Sequence, residues 1–247
     1  MGMGWRNALL APLFLWAFPV VGLTSRGAES PLLVECFVAG LLLAGLRANV
    51  SESWVGRASA LALLILAGAA ATASGGIAWG AALPLAALAM VGGGTRSLRV
   101  AYALGAVACG LVALSLALDQ GEGYIPLLGA APDPYLIDQP QRRDLVAGVE
   151  EFGYHIFPFT ILVVLGALVP ARRQEEESGT ASSPLAAIWL ALGVGLAVAW
   201  SAKYGRQTFP ITIPAALCAA KSLSLIFEAD YDARLRRFAL VMAICGL

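Results

Sequence analysis

Apolar runs close to twenty residues long, repeated along most of the chain, constrain this sequence more than any other feature. An α-helix rises about 1.5 Å per residue, so a run of about 20 residues spans a hydrocarbon core about 30 Å thick. The runs are continuous and rich in Leu and Ala, unlike the alternating pattern of a membrane β-barrel. They also lack the polar face of a helix at the surface of a soluble domain. Charge agrees: 13% of the 247 residues are charged, about half of what a soluble domain carries. The expected fold is all-α, a polytopic integral membrane helix bundle of about eight or nine hydrophobic segments.

In chain order the expected spans cover residues 5–23, 31–46, 58–74, 76–91 and 100–118, then 154–169, 184–200 and 210–227, with a last apolar stretch at 238–247. The first has the shape of a signal peptide, but no A-x-A site closes it and many spans follow, so a retained span is expected. Gly75-Gly76 joins the third and fourth spans into a tight pair, whose many small residues permit close helix approach. Pro84 is expected to kink the fourth. The run GGGTRSLR, residues 92–99, lacks the G-K-[ST] ending of a phosphate loop and reads as a basic turn. The final ten residues reach about 15 Å as a helix, which makes the C-terminus look cut short. The chain thus divides into an N-terminal five-span bundle, 1–118, an outer loop, 119–153, and a C-terminal bundle of three to four spans, 154–247.

Basic residues set the expected orientation. With the N-terminus inside, one side holds Arg6, Arg47, Arg57, Arg96, Arg99, Arg172, Arg173, Arg234, Arg236 and Arg237, and the other Arg26, Arg142, Arg143, Lys203 and Arg206. The bias favours a cytoplasmic N-terminus in a bacterial inner membrane, with the loops at 119–158 and 201–209 on one outer side. Sixteen basic residues balance sixteen acidic ones, so nothing suggests nucleic acid. Cys36, Cys109, Cys218 and Cys245 lie inside apolar runs and read as small packing residues. With one histidine in the chain, a His-based metal site is excluded, and no cofactor is expected.

Residues 119–158 form the one long polar interval. Its glycines and prolines, from Gly121 to Pro134, make a regular helix improbable. Asp138-Gln139-Pro140 then reads as a helix start. The helix would run from 139 to 152, with Leu145, Val149 and Phe152 on one face and charges elsewhere. Arg142 and Arg143 on it either meet an anionic headgroup, since guanidinium matches phosphate geometry, or pair with nearby acids on a solvated face. Spacing alone favours the second. His155 is a proton shuttle or an interfacial ring, and interfacial placement is the commoner case. Lys203, Tyr204 and Arg206 sit between two spans, where they suit a lipid phosphate or anchor the helices by snorkelling. Glu35 and Lys221 lie within spans. Either is functional by default, but Glu35 also fits the interface zone or a helix N-terminus, and Lys221 can snorkel.

Three phrases carry a resemblance: LVAGVEEFGYHIFPFTILVVLGAL at 145–168, WSAKYGRQTFPITIPAAL at 200–217 and DYDARLRRFAL at 230–240. In this order they resemble the C-terminal half of the membrane part of bacterial polyprenyl-phosphate-sugar glycosyltransferases. These are GT-C-fold enzymes related to protein O-mannosyltransferases and the lipid A aminoarabinose transferase. Phe152-Gly153 with Phe157-Pro158-Phe159 matches a family phrase F-G-x-x-L-F-P-W, with Phe for Trp. Ser201, Lys203 and Tyr204 match the start of S-x-K-F-H-H-Y, with Gly205-Arg206 in place of the two histidines. The resemblance implies sugar transfer from a polyprenyl-phosphate donor at the outer leaflet. Lys203, Tyr204, Arg206, Arg142 and Arg143 would face the donor phosphate, with His155 as an accessory. The family's catalytic acid lies in the first outer loop, commonly as an acidic pair. Here that loop reads TSRGAES with Glu29 alone, so no catalytic acid is assigned and the protein is expected to be incomplete or catalytically degenerate. The alternative is a non-catalytic membrane scaffold, a subunit of a larger complex, in keeping with the Ala/Gly-rich helices. A small transporter ranks last, for want of paired broken, charge-bearing spans.

Overall fold

The computed structural model describes residues 10–15, 18, 31–91, 94–118, 146, 149–150, 153, 156–157, 159–168, 184–204 and 211–228. Their regular structure is entirely helical. The helices are α1 (Pro31–Val50), α2 (Trp54–Ile77), a π-helical turn (Ala78–Ala82), α3 (Leu83–Met90), α4 (Arg96–Leu118), α5 (Thr160–Leu168), α6 (Leu185–Tyr204) and α7 (Thr212–Glu228). Three apolar helical stretches are long enough to cross a membrane: Leu33–Val50, Trp54–Met90 and Arg96–Leu116. Leu185–Ala199 and Thr212–Leu223 are shorter apolar helices. The expected count of eight or nine segments is not reached among the described residues. Most of 5–23, most of the polar interval 119–158 and all of 238–247 lie outside them.

The chain forms two compact units. One is Ser30–Gly148 with Gly195–Pro210; the other is Met1–Glu29, Val149–Val194 and Ile211–Leu247.

Close approaches at glycines fix the topology of the first unit. Val34 presses on Gly75, and a Cβ built on Gly68 would lie 3.2 Å from Leu41 Cδ1. The paired numbers rise in α1 as they fall in α2, so the two helices are antiparallel. The apolar stretch Trp54–Met90, 37 residues, is not one rod. Gly76 breaks it at φ 72°, ψ 170°, a backbone region essentially restricted to glycine. A Cβ on Gly80 would strike the backbone of Ala71 and Thr72. Residues four before and four after Gly76 therefore face each other, and the expected pair joined at Gly75-Gly76 is present as a helical hairpin. Leu88 presses on Gly45, and a Cβ on Gly105 would lie 3.2 Å from Leu85 Cδ1. Tyr102 Oη donates to the Gly45 carbonyl at 3.4 Å. The order is up-down-up-down, α1, α2, α3, α4, packed around Leu41, Leu42, Trp79 and Leu88, each at most 2% exposed.

Pro84 has the local effect its chemistry requires. It lacks an N–H, and its ring collides with the carbonyl one turn back. The chain widens just before it into the π-turn, where the Leu83 N–H donates to Ala78 O. Helix ends also run further than the apolar runs suggest. α1 continues to Val50 rather than 46 and α2 starts at Trp54 rather than 58. Ser53 is the N-cap of α2, its Oγ accepting from Gly56 N at 3.1 Å, which satisfies one of the helix's first orphan donors. The polar interval 47–57 is thus mostly helix, with arginine stems long enough to lie along the helix ends. Of the GGGTRSLR run, expected to be a basic turn, Gly94 stands at φ 72° and Arg96 to Arg99 already form the first turn of α4.

The second unit is held by α5 against α7. A Cβ on Gly166 would fall on the Cys218 carbonyl, and Ser222 Oγ donates to Leu162 O at 2.7 Å. Again one number rises as the other falls, so α5 and α7 are antiparallel. The sequence reading, with three successive crossings at 154–169, 184–200 and 210–227, makes the first and third parallel. That arrangement does not hold for these helices. The reason is local: the missing side chain at Gly166 lets the α7 backbone approach, and Ser222 ties the next turn. Beside this pair, Phe159 stacks edge-on to Phe14 at 5.2 Å and tilts against Phe18 at 5.7 Å; such aromatic pairs add about 0.5–1.5 kcal/mol beyond burial.

Candidate functional site

Of the residues singled out in the sequence, Arg142, Arg143, His155 and Arg206 lie outside the described residues. Lys203 and Tyr204 are the last two positions of α6, so helix continues past the expected end at 200 and carries both out along its axis. α5 and α7 run antiparallel. Thr160, the start of α5, stands level with the turn of α7 beyond Ser222. Thr212, the start of α7, is about 18 Å away along the pair at the rise of an α-helix.

Phe159, part of the FPF phrase, is 1% exposed and packed by Phe14 and Phe18. Its part in the resemblance is that of a core anchor. Phe157, two residues earlier, is exposed.

Glu35 is 0% exposed. It follows the first turn of α1, beyond the reach of a terminal dipole that fades within one turn, and its neighbour Val34 seats against Gly75. The interface and N-terminal readings therefore give way to a carboxyl enclosed in the bundle, with an interaction of its own inside the protein. Lys221 is half-buried in α7, within reach of the helix end by snorkelling. Cys218 is a buried packing residue as expected, whereas Cys36 is exposed on α1; both thiols and that of Cys109 are free.

A second polar locus lies at the end of the four-helix unit where α1 finishes and α2 and α4 begin. Arg47 is in the last turn of α1, Arg57 in the first turn of α2, and Arg96 and Arg99 in the first turn of α4. The antiparallel register brings all four to one end. Arg57 Nη2 donates to Ser51 O at 2.9 Å, while its Nε is buried without a hydrogen-bond partner. Asn49 is held under Gly94, where a Cβ would meet the Asn49 side chain; its Oδ1 and Nδ2 are buried and also lack partners. Thr95 Oγ1 and Ser97 Oγ hydrogen-bond at 3.0 Å. The sequence reading used these arginines for orientation alone. Asn49 and Gly94 carry no local signal, because only the fold brings them together.

The helices and this end define an all-helical bundle with three stretches able to cross a membrane. Compared with protein-family models, with curated proteins and with solved structures, the chain has no match.

Proposed function

We propose that the chain is an integral membrane subunit of the bacterial cytoplasmic membrane, N-terminus cytoplasmic, that packs along α4 against another membrane protein. One observation carries this reading. Arg96–Leu116 is long and apolar enough to cross, yet 11% of that stretch is buried within the protein. Its open surface mixes Leu104, Val107 and Leu111 with the small Ala101, Ala103 and Ala108. Small residues let a second helix backbone come close, which is what drives association where lipid is as apolar as leucine. The orientation draws support from the arginine-bearing end of the unit, since basic residues concentrate on the cytoplasmic side.

The test is site-specific photo-cross-linking in intact membranes. A cross-linker at Val107 or Leu111 is expected to give one discrete protein adduct, and the same group at Leu63 or Ile65 of α2 to give none. Lipid adducts alone, at all four positions, contradict the reading.

The three sequence phrases favour a second reading, a glycosyltransferase-like protein that binds a polyprenyl-phosphate sugar at the outer leaflet. It rests on Lys203, Tyr204, Arg206, Arg142 and Arg143, with His155 as an accessory. Lys203→Ala combined with Arg206→Ala is expected to weaken retention of a polyprenyl phosphate about tenfold or more, the scale of losing two charge-assisted contacts. Unchanged retention removes this reading.

A further inference from the structure

We propose that the arginine-bearing end of the four-helix unit is a binding site for the headgroups of anionic phospholipids. Arg47, Arg96 and Arg99 are exposed and Arg57 half-buried, so four guanidiniums from three helices converge on one end. Among the described residues the acid that shares this end is Glu52, exposed in the turn between α1 and α2. The balance leaves a strong positive excess where these helices leave the apolar zone.

The fold holds the charges in place. Arg57 is tethered to Ser51 O at 2.9 Å, which fixes its guanidinium across the first turn of α2. Gly94, seated on Asn49, holds the start of α4, which carries Arg96 and Arg99, against the end of α1. The exposed guanidiniums of Arg47, Arg96 and Arg99 are open to a ligand. A headgroup phosphate supplies acceptor oxygens in the geometry guanidinium prefers. The occupant is a lipid rather than a soluble anion, because the site borders the exposed apolar residues Val50, Trp54, Val55 and Val100. Acyl chains can lie along these while the headgroup meets the arginines. A basic segment at a membrane surface is attracted to anionic lipid.

The experiment uses the purified full chain and native mass spectrometry, with phosphatidylglycerol and phosphatidylcholine of the same acyl chains as probes. The wild type is expected to retain phosphatidylglycerol about tenfold or more over phosphatidylcholine, with the preference falling as salt rises. Arg57→Gln, Arg96→Gln and Arg99→Gln combined should bring the ratio to about one. Should that variant fail to fold, Arg96→Gln with Arg99→Gln must lower the ratio and Arg57→Lys must hold it nearer the wild type. Arg26→Gln is expected to leave it unchanged. Equal retention of the two lipids by the wild type overturns the proposal, as does a preference that survives in the variants. Equally effective displacement by inorganic phosphate assigns the site to a free anion and overturns it too.

Discussion

Replacing Gly166 by leucine is expected to separate α5 from α7 and to destabilise the second unit by about 3 kcal/mol or more. Overpacking in a well-packed interior typically costs about 1–3 kcal/mol. Here the added atoms meet the backbone of Cys218 rather than a side chain that could turn aside. Separation also breaks the hydrogen bond from Ser222 to Leu162 O, which leaves the buried Ser222 hydroxyl without that acceptor at about 1–3 kcal/mol. Gly166→Ala should show a smaller loss of the same kind. Gly110→Ala is the control, because a Cβ there meets nothing within 4 Å; it should be neutral or stabilising by up to about 1 kcal/mol through reduced backbone entropy. Unfolding in mixed micelles reads all three. A Gly166→Leu protein as stable as the wild type would mean that the two helices do not approach at this point.

The second large effect is expected at the hairpin. Gly80→Val puts a branched side chain into the backbone of Ala71 and Thr72, and the two arms cannot stay together. Gly76→Val acts on the same hairpin through the backbone, since φ 72° with ψ 170° costs a non-glycine residue about 1–3 kcal/mol. Opened, the 37-residue stretch becomes a nearly straight helix about 55 Å long, far longer than the hydrocarbon core. Each variant should lose the tertiary fold in thermal melts, and the double variant should be no worse than the poorer single one, because both break one element. Additive losses would show two independent contributions.

These elements also show what could be read from the residues alone. The all-helical fold was legible because apolar run length is a direct consequence of helix rise and bilayer thickness. The break at Gly75-Gly76 was legible because two adjacent glycines within an apolar run remove the side chains that would hold a helix straight. Helix ends were misplaced by about one turn at α1, α2 and α4. The arginines there were taken to end the helices, whereas Ser53 and the long basic stems let the helices run on. The antiparallel sense of α5 and α7 was not legible. It rests on Gly166 with Cys218 and Leu162 with Ser222, pairs more than fifty residues apart, and alternation of spans gives the opposite answer. The enclosure of Glu35 was not legible for a similar reason, since its position five residues into α1 says nothing of what the fold packs around it.

The exposed α4 face and the arginine-bearing end both depend on α1 to α4 crossing as an up-down-up-down bundle, with the turn at 51–53 and the start of α4 on one membrane face and Gly75-Gly76 on the other. The direct measurement is labelling of single-cysteine variants by a membrane-impermeant maleimide in sealed vesicles of known orientation, on a background with the native cysteines replaced. Glu52→Cys and Thr95→Cys are expected to react from the same side, and Ser74→Cys, exposed beside the hairpin turn, only from the other. Labelling of Ser74→Cys from the side that labels Glu52→Cys, or of Glu52→Cys and Thr95→Cys from opposite sides, would contradict the bundle.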